Sequence, residues 1–150
     1  MPEEISRLLQ SGADVIVREW THKVSSDRRV RSDAGLTYLQ LVDHVPQMLE
    51  EIRHAIVYEP ETVSATTREG EKHGRLRWKQ GYELKEVVRE LMLLRTTLLE
   101  FIEQYRGALQ NKKAEQLMQA YRRINGFIDE ELYRTIEAYL ESARAEEVTV

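Results

Sequence analysis

Across residues 83 to 106, Leu84, Val87, Val88, Leu91, Leu94, Leu98, Ile102 and Tyr105 recur at steps of three and four. That period marks one continuous stripe on an α-helix and fits no strand. A second run follows GALQN, with Leu117, Tyr121, Ile124, Ile128, Leu132, Ile136 and Tyr139 in the same spacing. Two long stripes must be buried against other helices, so the fold expected is all-α, a helical bundle around one core. Only three prolines and seven glycines occur in 150 residues, which favours helix almost throughout and leaves strands absent or trivial.

The rest of the chain can be read against these two helices. Residues 3 to 10 form a short opening helix with Pro2 in its first turn and Gly12 as its stop. A second helix, 13 to 25, turns Val15, Ile16, Trp20 and Val24 inward, and SSDRRVRSDAG is a loop. Residues 36 to 58 are helical but carry Pro46, so a restart capped by Asp43 is expected, placing Pro46 in a first turn. EPETVSAT, residues 59 to 66, reads as a linker. Residues 67 to 80 can form a helix, yet Gly70, Gly74 and few apolar residues make it the least stable one expected, with 59 to 72 the most mobile segment.

The last helix, capped by Asn111 and running to about 143, spans about 50 Å at 1.5 Å per residue. That exceeds what one small core covers, so its end should project, presenting Ile128, Leu132, Ile136, Tyr139 and Leu140 to a second copy of the chain.

Composition excludes several functions. The formal net charge is −4, which gives no general attraction to nucleic acid or to an anionic membrane. No run approaches the ~18 apolar residues of a membrane span, and the N-terminal residues lack the pattern of a signal peptide. A cytoplasmic location is expected. Cysteine is absent, and no spacing characteristic of a nucleotide loop, a zinc protease or a serine hydrolase occurs, so no enzyme activity is expected.

Two Glu-x-x-His pairs, Glu19 with His22 and Glu51 with His54, could each supply half of a di-iron site in a bundle. With 21 glutamates in the chain such pairs arise by coincidence, and surface ion pairs are the plainer reading. His73 is followed at four-residue steps by Arg77 and Gly81, which would share its face. A heme or small-ligand contact is one reading and a packed corner histidine the other. In VVRELMLLR the apolar residues are dense enough to bury Glu90 or Arg95. A buried Glu90 would need Arg77 or His73 as partner.

The stretch EKHGRLRWKQGYELKEVVRELMLLRTTLLEF resembles the central block of the RsbRD-type N-terminal sensor domains of bacterial histidine kinases and stressosome co-antagonists. His73, Arg77, Gln80, Gly81, Tyr82, Leu84, Glu90, Leu94 and Arg95 match that pattern, and Met92 stands where an aromatic is usual. VIVREWTHKV and LVDHVPQMLEEI are similar to its upstream blocks, so the resemblance covers residues 5 to 140. It implies a globin-like helical fold without heme or other cofactor, working as a homodimer. His73, Arg77, Gly81, Tyr82, Glu90 and Arg95 would form a structural or signalling corner, and the C-terminal helix would pass a signal to a downstream kinase or regulatory output domain.

Overall fold

The computed structural model describes residues 2–42, 44–58, 68–108 and 114–149. Helices α1 (Pro2–Ser11), α2 (Ala13–Ser26), α3 (Tyr38–Val42), α4 (Val45–Val57), α5 (Arg68–Lys79), α6 (Leu84–Tyr105) and α7 (Ala114–Thr149) follow in order, with 3-10 turns at Ser32–Gly35 and Arg106–Ala108. No strand occurs among these residues. The fold is all-α and ends in a long helix, in keeping with a globin-like bundle. The expected caps Asp43 and Asn111 and the expected linker 59 to 66 lie outside the described residues.

Local chemistry sets the boundaries. Pro46 sits in the first turn of α4, where its missing N–H leaves nothing unsatisfied. Glu83 caps α6 in a reciprocal box with Glu86. The α6 stripe is the centre of the core: Val87, Leu91, Leu94, Leu98 and Ile102 are buried, with Ile5 and Leu9 of α1, Ile16 and Trp20 of α2, and Met48 and Ile52 of α4 in the same cluster. Helix α1 packs on α4, and both α2 and α7 pack on α6.

Helix α5 departs from its expected weakness. It packs on α7 more extensively than any other two helices pack together. The glycines are the reason. A Cβ on Gly74 would collide with the backbone carbonyl of Thr135, and one on Gly70 with the Glu131 carboxyl. Their absence lets the two helix axes approach closely, and the Thr135 hydroxyl donates to the Gly70 carbonyl at 2.9 Å.

That packing also changes what α7 exposes. Its apolar excess is covered by α5 as far as Ala138 and Tyr139, so Ile128 and Tyr139 are buried within one chain and are not free for a second copy. Leu132 packs against the core, Ile136 is half-buried, and Leu140 is exposed. Tyr139 is the last buried side chain described. The ten residues after it continue as helix for about 15 Å beyond the core.

Gly74→Ala should therefore destabilise the domain by about 1–3 kcal/mol, because the colliding atom is backbone and cannot swing aside. Urea unfolding measures this, and an unchanged midpoint would show that the seam can relax.

Candidate functional site

The corner predicted around His73 is a buried polar cluster centred on Glu90. Neither Glu90 nor Arg77 has exposed surface, and His73 is 1% exposed. Glu90 Oε1 accepts from Arg77 Nε at 2.9 Å and lies 3.2 Å from His73 Nε2. Oε2 accepts from the Tyr82 hydroxyl at 3.1 Å. The backbone carbonyl of Glu90 accepts from Trp20 Nε1 at 2.9 Å. Arg77 spends its remaining donors on the carbonyls of Gln40 and Leu41, at 3.2 and 2.7 Å, and on Gln80 Oε1 at 2.6 Å. One guanidinium thus ties α5 to α3 and α6, a geometry that a lysine ammonium cannot reproduce.

Local chain geometry puts Tyr82 in reach. Helix α5 stops at Lys79, and Gly81 takes φ +82°, the left-handed conformation that glycine adopts without steric cost. Amides of Gly81 and Tyr82 then close onto the carbonyls of Trp78 and Arg77 at 3.1 and 3.0 Å, a Schellman stop. Gly81 therefore lies past the helix rather than on the His73 face. The turn lays the Tyr82 ring beneath the Arg77 guanidinium, 4.8 Å from centroid to Cζ. Burial, then the Glu90 charge, pushes the Tyr82 hydroxyl well above its ordinary range. The Tyr82 carbonyl accepts from the Tyr139 hydroxyl at 2.5 Å, and Tyr139 meets Trp78 edge to face at 5.5 Å. The corner is bonded directly to α7.

The other candidates separate. Arg95 lies at the surface, pairing with Asp129 of α7 at 2.7 Å. Met92 is 43% exposed, so the position where the family pattern has an aromatic faces away from the core. His22 and His54 are exposed; His54 stacks on Tyr58, and Glu51 accepts the Glu69 amide. Glu19, His22, Glu51 and His54 do not converge, and among the described residues no group of three or more acids and histidines could hold a metal. His73 does not fit an axial heme ligand in this arrangement, since its Nε2 is held by a carboxylate inside a closed cluster.

Sequence reasoning missed Glu131. It has no exposed surface, and neither carboxyl oxygen has a hydrogen-bond partner among the described residues. It sits on α7 against Gly70 of α5. Burial, reinforced by Glu51, Glu69 and Glu130 and opposed by Arg134, pushes its carboxyl up to about 9. Glu131 is therefore neutral at neutral pH, the only form such an enclosure tolerates. The signal was available in the spacing: Gly70 and Gly74 sit one turn apart, and so do Glu131 and Thr135, which face them.

Arg77→Ala should cost about 3–5 kcal/mol in urea unfolding, because it strands the Glu90 charge. For Glu131 the folded state holds a proton that an unfolded glutamate, titrating near 4.5, has released. Its contribution is fully present below about 4.5 and is lost as pH rises toward 9. Wild type should thus lose about 2–3 kcal/mol relative to Glu131→Gln over two pH units within that window. Parallel pH profiles for the two proteins would contradict this.

The family model for the RsbT co-antagonist protein rsbRD N-terminal domain matches residues 14–148. No curated protein and no solved structure shows significant similarity to the chain. The match spans nearly all of α2 through α7, including the whole Glu90 corner and the α5–α7 seam, and the chain belongs to the family of RsbT co-antagonist protein rsbRD N-terminal domains.

Proposed function

We propose that the domain is a non-catalytic sensory and regulatory module of the stressosome co-antagonist or histidine-kinase type, acting as a homodimer and signalling through the projecting end of α7. Family membership supports the regulatory class. The bond from Tyr139 to the Tyr82 carbonyl carries the relay reading. It joins the buried corner to the last covered position of α7, so a rearrangement at Glu90 acts on the helix where it leaves the core. A buried element that can adopt two arrangements is what transmits a shift between distant surfaces.

The dimer reading rests on side chains that one chain leaves uncovered. Tyr133 is 62% and Leu140 39% exposed on α7. Tyr133 and Leu140 are two turns apart and share a face, one turn beyond Asp129, where Arg95 bonds from α6. This strip of α7, beside the Arg95 contact from α6, replaces Ile128 and Tyr139 as the surface offered to a second copy. With the strips of two copies apposed, the two projecting ends lie together, and rotation in the sensor moves both outputs. No helix among the described residues is long and apolar enough to cross a membrane.

Replacing both Tyr133 and Leu140 by glutamate should shift the domain from dimer to monomer in sedimentation while leaving helix content unchanged, since both side chains are exposed. A wild-type domain that sediments as a monomer at high concentration would overturn the dimer. A dimer indifferent to the pair would overturn the strip.

A further inference from the structure

The loop after α2 and the first turns of α6 line a cleft of about 610 Å³. Its walls carry Arg28, Arg29 and Arg31 from the loop, and Lys85 and Arg89 from α6, with Glu83 and Glu86 as the acids. With Asp27, which bonds Arg89 from the start of the loop, five cations stand against three carboxylates, a local excess in a chain whose net charge is −4.

The acids there are already engaged. Glu86 accepts the amides of Arg31 and Ser32 and the Ser32 hydroxyl, each at 2.8 Å, and the Glu83 amide at 3.1 Å. Burial acts to raise its carboxyl, but these bonds outweigh it and hold the group below its ordinary range. Asp27 accepts the Arg29 amide at 2.8 Å and Arg89 Nε at 2.9 Å. Both acids fix the loop by its backbone; Asp27 also pairs with Arg89, and Glu83 with Lys85 at 3.3 Å, so the cations left without a carboxylate partner lie on the loop. The Arg28 and Arg31 guanidinium groups form no ion pair with any described residue.

We infer that this cleft binds a small, soluble, phosphate-bearing molecule, held between the Arg28 to Arg31 loop and the start of α6. Guanidinium forks match phosphate oxygens in pairs, and the volume falls in the range of small-ligand sites. A polymeric nucleic acid is disfavoured by the acidity of the remaining surface. Arg89 directly precedes Glu90 in α6, so the occupant sits beside the corner; only its use as an input rests on the relay reading, and the binding does not.

Calorimetric titration of the full chain with pyrophosphate at physiological ionic strength tests this, with citrate as a polyanion that lacks phosphate. The expected result is saturable binding of one pyrophosphate per chain, weaker citrate binding, and a loss of about tenfold or more in the Arg28→Ser/Arg31→Ser variant, the effect of removing one charge-assisted contact or more. Both arginines are exposed, and unchanged circular dichroism confirms that the variant folds. No saturable binding, or a variant that binds as well as wild type, overturns the site. Citrate binding as tight as pyrophosphate overturns the assignment to phosphate. None of these outcomes depends on whether the domain dimerises.

Discussion

A carboxylate with no exposed surface must have its charge met inside the protein, and much of the structure around α6 follows from meeting the charge of Glu90. Arg77 supplies the opposite charge, and because its own donors must also be satisfied, it recruits the carbonyls of Gln40 and Leu41 and so fixes α3. Tyr82 reaches the second oxygen only because Gly81 reverses the chain directly after α5. Trp20 closes the remaining side with a bond to the Glu90 carbonyl. Replacing this network with apolar side chains could be thermodynamically neutral, so its value lies in fixing one arrangement of four helices rather than in raw stability. A corner held by direction-dependent bonds can also exchange one arrangement for another, which a greasy contact of the same area does less sharply.

Along α5 the two buried carboxyls receive opposite treatment. At the C-terminal half Glu90 is surrounded by donors, whereas near the N-terminus Glu131 has none among the described residues and persists by keeping its proton. The glycines permit the second situation. Gly70 leaves room for the Glu131 side chain, and Gly74 brings the backbones close enough that the seam is dense despite the misplaced polar group. Packing at this seam therefore works against a standing cost. A carboxyl buried without a partner is the kind of local inconsistency that concentrates where a protein stores strain for use.

Periodicity carried most of the fold. The stripes of α6 and α7 and the proline in the first turn of α4 are local features, and the structure places them within a few residues of where the sequence puts them. The polar corner was legible for a different reason: a charge inside a dense apolar stretch, as in VVRELMLLR, implies a buried partner, and Arg77 lay nearby. What escaped is what depends on two segments at once. Gly70 and Gly74 look like weakness in isolation and become a packing surface only against Thr135 and Ala138. The inward face of α7 likewise runs through Glu131, Thr135 and Ala138, beside the Leu132 and Ile136 stripe that hydropathy selects. A smaller side chain on one helix and a polar one on the other give no hydrophobic signal, although together they build the most extensively packed helix pair among the described residues.

These opposed ends bear on how little input a relay through α5 and α7 would need. Inverting a two-state equilibrium from one part in a hundred to the reverse takes about 5.5 kcal/mol of differential interaction. Keeping Glu131 protonated at neutral pH costs the folded chain about 3 kcal/mol relative to a solvated glutamate. Loosening α5 at its Gly70 end, so that water reaches Glu131, would return that amount and offset part of the lost packing. Its other end is held by the Glu90 cluster, whose disruption would cost about 3–5 kcal/mol. Under the relay proposed above, lifting α5 from Glu131 while Arg77 stays anchored would thus meet less resistance than breaking the Glu90 cluster. Under the same reading, the bond from the Tyr139 hydroxyl to the Tyr82 carbonyl would stay at the anchored end, next to the start of the uncovered part of α7.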